Sequence, residues 1–202
     1  MKSPFNYQVT DYDCVPTTFV NALQYLFNRE EIPPIVIQKI MLYSLDIIST
    51  YGYHGYGTSD LSAKLIMQWL EEFPDDKFAF KNCKYISGKK VHLKKGSEII
   101  ACMNRGGAVL LQVCSEPKND MFHYMLGLGI DPTDNDWILF FDPFYRVRKY
   151  TGEDSKYIEL LGGENRQSAN LRIKRERLDS YEYKKYSMSA IENRACCLLE
   201  RK

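Results

Sequence analysis

Three apolar runs follow one another between residues 108 and 142, and their spacing leaves few ways to fold. Residues 108–114 (AVLLQVC) are apolar at nearly every position, the pattern of a strand covered on both faces. Residues 122–130 (FHYMLGLGI) follow a Pro-Lys-Asn-Asp turn, and residues 137–142 (WILFFD) follow the polar turn 131–136. Strands joined by loops this short run antiparallel, because a parallel return needs a crossover of a dozen or more residues. The core of the fold is therefore expected to be an antiparallel meander.

The residues before it read as helices. From Val15 the apolar side chains Phe19, Ala22, Leu23, Leu26 and Phe27 trace one face of a helix over 14–28. Thr10, Asp11 and Asp13 stand where they can cap it, and Pro16 falls in its first turn, where a missing N–H costs little. After Pro33-Pro34 a second helix is expected over 35–48, packing Val36, Ile37, Ile40, Met41 and Leu45. A Gly- and Tyr-rich loop over 51–58 leads to a third over 61–73, capped by Ser59 or Asp60 and packing Leu61, Leu65, Ile66 and Leu70. Short strands broken at Asn82 and Ser87-Gly88, and a short helix over 96–104, complete the approach to the meander. Beyond it, 144–150 reads as an extension of the sheet, 151–170 as loop or irregular helix with Leu161-Gly162-Gly163 as a turn, and 195–199 as a final strand. Helices first and antiparallel sheet after make an α+β fold, read as a single domain over 1–202 with 143–202 as an extension that no motif supports.

Composition narrows the function classes. Formal net charge is +1, which gives no overall pull toward nucleic acid or an anionic membrane. The charge is divided: 13 Lys+Arg against 17 Asp+Glu over 1–142, and 14 against 9 over 143–202. The basic run Arg172, Lys174, Arg175, Arg177 reads as a solvated surface. The start, MKSPFNYQVTDYD, has no apolar signal core, and no run of about 18 apolar residues offers a membrane span, so a reduced cytoplasmic setting is expected. Six cysteines without a CxxC, and three histidines, argue against structural zinc and for no metal or cofactor. Cys83, Cys102 and Cys114 read as small core residues, Cys196 and Cys197 as neighbours on opposite faces of a strand, and His92 as a solvated turn residue.

Cys14 is the exception, because it begins a helix, where free amides and the dipole favour an anion. A thiolate nucleophile needs a base, a group to orient that base, and donors for an oxyanion. His123 begins one strand and Asp142 ends the next, so antiparallel pairing brings both to one sheet edge. Gln8, six residues before Cys14, can turn its amide toward an oxyanion shared with the Cys14 N–H. In the loop 51–58, Tyr53, His54 and Tyr56 are candidates to line the cleft and contact substrate.

In Q-V-T-D-Y-D-C-V-P-T-T, H-Y-M-L-G-L-G-I-D and F-F-D-P-F the chain resembles the C39-like cysteine peptidases, which have a papain-like fold. The helix, Gly106-Gly107 turn and strand before the histidine are also similar, as is Gly57-Thr58 leading into a helix; the likeness covers about residues 5–145. It implies a thiol peptidase acting on a peptide or protein, not on nucleic acid, with Cys14 as nucleophile, His123 as base, Asp142 as orienting residue and Gln8 in the oxyanion hole. One departure is Val15, where family members commonly carry a small residue after the nucleophile. Two alternatives stay open: acyl transfer or amide hydrolysis of another substrate on the same fold, and an inactive module whose cleft holds a peptide.

Overall fold

The amphipathic spacing from Val15 closes into α1 (Cys14–Leu26) in the computed structural model, which describes residues 1–119, 121–162 and 167–202. Phe19, Ala22 and Leu23 are removed from solvent, so the apolar stripe is the docking face. The next helix, α2 (Pro34–Tyr43), stops short of the expected residue 48. Leu45 takes a left-handed backbone, φ 58°, and turns its amide to the Thr58 hydroxyl at 3.0 Å. The chain then folds back on itself, with the Ile47 amide bonded to the Gly57 carbonyl and Ile48 bridged to His54.

Ser59 caps α3 (Asp60–Glu71) by accepting the Ser62 amide. Its packing face differs from the expected one: Leu61 is 77% exposed and Leu65 46%, while Ala63 and Met67 are buried beside Ile66 and Leu70. Positions 63, 66, 67 and 70 keep strict i, i+3, i+4, i+7 spacing, and that stripe docks on the following strand, β1 (Phe80–Ser87). Here β1 is one strand with an irregularity between Phe80 and Asn82, where two short strands were expected. The short helix α4 (Glu98–Asn104), capped by Ser97, precedes β2 (Ala108–Glu116).

With β3 (Met121–Ile130) and β4 (Trp137–Phe141), β2 forms the antiparallel meander. Residues 144–150 add no strand; the sheet is extended instead by β5 (Ile158–Leu160) and β6 (Leu171–Lys174), after which α5 (Arg175–Leu178) makes one turn. The chain then returns across the sheet as β7 (Ala195–Arg201). Among the described residues seven strands lie in the order β1-β7-β2-β3-β4-β6-β5, each pair antiparallel, so the fold is α+β. Of the Leu161-Gly162-Gly163 turn, Gly163 lies outside the described residues.

Two apolar layers cover this sheet. Cys197, Leu110, Tyr124 and Leu126 face α1 and its neighbours, while Cys196, Leu111, Val113 and Met125 face the other core, so the Cys196–Cys197 pair alternates as expected. Cys83, Cys102 and Cys114 are buried. Two members of the basic run pair with carboxylates rather than standing free in solvent: Arg172 with Asp131 and Glu159, and the buried Arg177 with Asp154. Lys174 lies over the Trp137 ring. Among the described residues no helix is long and apolar enough to cross a membrane.

Candidate active site

Cys14 stands first in α1 and is buried, with 9% of its surface exposed. The loop before it is tied by Asp13, whose carboxylate accepts from the Val9 amide at 2.9 Å, the Thr10 amide at 2.7 Å and the Thr10 hydroxyl. That use leaves Asp13, the N-cap residue, without a side-chain bond to the helix amides. Thr10 spends its hydroxyl on the Tyr12 amide, so the expected side-chain capping is replaced by a braced loop with the helix N-terminus left open.

Gln8 is placed from the opposite direction. Its amide N–H bonds the Pro143 carbonyl at 2.9 Å, which pins it next to the end of β4. The side-chain Nε2 donates to the Thr10 carbonyl at 2.6 Å, and Oε1 is buried without a hydrogen-bond partner. One Nε2 hydrogen therefore remains for another acceptor.

Leu126 pairs with Phe141 across the meander, which brings the start of β3 beside the residues just past β4. His123 Nε2 and Asp142 Oδ1 are 2.7 Å apart, with both side chains less than one-tenth exposed. The Cys14 thiol lies close enough to the same imidazole to help raise its pKa. With Nε2 taken by Asp142, Nδ1 is the nitrogen left for the thiol. Burial alone would lower the imidazole pKa, but the Asp142 carboxylate and then Cys14 outweigh it and raise it from 6.5 to about 10. Burial pushes the Asp142 carboxyl up, and His123, Tyr186 and the Phe144 amide bring it below its ordinary value.

The sequence left Tyr186 unremarked, yet its hydroxyl donates to Asp142 Oδ2 and receives the Tyr150 hydroxyl at 2.9 Å. Asn170 clamps the Asp142 backbone, accepting its N–H and donating to its carbonyl, both at 2.8 Å. Tyr186 has a left-handed backbone, φ 60°, unusual for a bulky residue and costing of order 1–3 kcal/mol. Reciprocal backbone bonds hold it there: Tyr186 N–H to Cys114 O, and Cys114 N–H to Ser187 O, each 2.7 Å. No motif marks it among 15 tyrosines; the available signal was only that a buried carboxylate needs donors for both oxygens.

Two cavities meet here. One, of 240 Å³, is lined by Gln8, His123, Asp142 and Tyr186. The other, of 340 Å³, is lined by Cys14, Val15, Tyr56, Thr58 and Tyr124. Asp11, Tyr12, Met121 and Phe122 belong to both. Of the three loop residues expected at the cleft, Tyr56 lines the Cys14 cavity and stacks on Tyr12 at 4.5 Å. Tyr53, 66% exposed, and the exposed His54 line neither cavity, because the backbone bridge to Ile48 turns the loop tip outward. His92 is half-buried and accepts the Lys94 amide, away from both. Among the described residues no group of three His, Cys, Asp or Glu is placed to hold a metal ion.

No family model, no curated protein and no solved structure matches the chain.

Proposed function

We propose that this site is the active centre of a thiol hydrolase working by acyl transfer, a C39-like cysteine peptidase on a papain-like fold. The observation that carries the reading is one line of groups: a cysteine at an open helix N-terminus, a histidine beside its thiol, and a carboxylate 2.7 Å from the far ring nitrogen. Cys14 attacks a peptide carbonyl as the thiolate, with the proton held on His123. A C–S bond forms and the carbonyl π electrons move to oxygen, where the Cys14 amide and the Gln8 Nε2–H stabilise the charge. As the C–N bond breaks, His123 gives its proton to the departing amine; water then hydrolyses the thioester and restores the thiol. Asp142 keeps the imidazole oriented and offsets its charge, and Tyr186 does the same for Asp142.

Iodoacetamide labelling near pH 6, read cysteine by cysteine in the intact chain, tests the proposal. Cys14 is expected to react well ahead of the five other cysteines, and His123→Ala to slow it by about 10²-fold or more. Equal labelling of all six cysteines, unaffected by His123→Ala, would sink it. A peptide-library digest then separates peptide hydrolysis from acyl transfer to another acceptor.

A further inference from the structure

The 240 Å³ cavity holds two cations that the reaction above does not use, Arg146 and Lys185. Arg146 is half-buried between aromatic rings, its guanidinium carbon 5.6 Å from the Phe144 centroid and 5.3 Å from that of Tyr150. Its Nε is buried without a hydrogen-bond partner, and among the described residues no carboxylate pairs with it. Lys185, also half-buried, lies over the Tyr186 ring at 4.7 Å and donates to the Ser115 carbonyl at 2.7 Å. That bond uses one of three ammonium hydrogens. The carboxylates sharing this cavity are otherwise engaged or solvated: Asp142 serves His123 and Tyr186, Glu116 is exposed and takes the Asn119 amide, and Asp11 is exposed. A buried, unpaired donor on a cation carries a desolvation cost that a bound anion removes.

The side on which these cations lie identifies which part of a substrate they would meet. His123 protonates the departing amine, so the leaving group lies on the His123 side of the thiol, in the cavity of Arg146 and Lys185. The acyl part falls to the cavity of Cys14, Tyr56 and Thr58. We propose that Arg146 and Lys185 form a subsite for a carboxylate on the leaving-group side of the scissile amide. This rests on the thiol acyl-transfer reading of the same site. The carboxylate is either the chain terminus of a short leaving peptide or an acidic side chain within it.

Calorimetric titration of the intact protein with three probes separates these sources: N-acetyl-trialanine as the free acid, the same peptide as its C-terminal amide, and an amidated N-acetyl tripeptide with glutamate in the middle. The acid, the glutamyl peptide or both are expected to bind about tenfold tighter than the plain amide, the worth of one charge-assisted hydrogen bond. Arg146→Met is expected to abolish that difference, and Lys185→Met to reduce it. Equal binding of all three probes to the wild type overturns the subsite, as does a preference that survives both substitutions. Iodoacetamide labelling of Cys14 in the same preparation reports on the thiol chemistry alone, so the two ideas fail separately.

Discussion

Asp142 Oδ2 accepts from the Tyr186 hydroxyl, deep in the protein. Tyr186→Phe keeps the ring and removes that donor, leaving a buried carboxylate oxygen short of a partner at a cost of about 1–3 kcal/mol. The expected result is a lower urea midpoint and a raised Asp142 pKa, so the acid limb of Cys14 alkylation against pH moves upward. An unchanged pH profile would reduce Tyr186 to a packing residue. Val15 poses a different question, since the proposed peptidase reading expects a small residue after the nucleophile. Here it is 2% exposed and part of the α1 core. Val15→Ala is expected to destabilise by about 1–2 kcal/mol in chemical denaturation, after the gain in helix propensity is set against the lost burial.

Among the described glycines, two sit where elements approach too closely for a side chain. A Cβ on Gly107 would lie 2.4 Å from Cys102 Sγ and 2.9 Å from the Leu199 carbonyl, where α4, β2 and β7 converge. On Gly127 it would meet Met103 Cε at 2.4 Å, the far end of a flexible chain. Gly107→Ala is therefore expected to cost more than Gly127→Ala in paired thermal melts, by about 1–3 kcal/mol. The meander and α1 were legible in the sequence because each carries its own pattern: continuous apolar runs with polar turns, or a 3.6-residue stripe. Cys14, His123 and Asp142 came with them, since their places at a helix start and at strand ends follow from the same patterns. What could not be read depends on distant contacts. Leu45 ends α2 through a hydroxyl 13 residues away, Leu61 and Leu65 lose the inner face of α3 to Ala63 and Met67, and Tyr186 is held by Cys114. The positions of β5, β6 and β7 in the sheet are set by pairing, on which local spacing is silent.

At the scale of the molecule, residues 143–202 supply three of the seven strands and the tyrosines behind Asp142. A chain cut after Asp142 is expected to lose cooperative thermal unfolding and its native circular dichroism. Whole-molecule stability also follows the charge on His123. The folded imidazole holds its proton to about pH 10, while an unfolded one releases it near 6.5. Counted for this group alone, the folded state holds a proton between those values that the unfolded state releases, so its contribution to stability falls as pH rises. Melting temperature is expected to decline across that window, and His123→Gln to flatten the decline. The placement of β7 between β1 and β2 has a consequence during synthesis. A ribosome delivers β1 and β2 before their shared neighbour: the interval from Glu116, the end of β2, to Ala195 takes roughly 4–16 s at ordinary elongation rates. For that time two strand edges wait unfilled, open to pairing with other nascent chains on the same message. Slowing elongation within that interval should therefore raise aggregation in the cell while leaving refolding of the purified chain untouched.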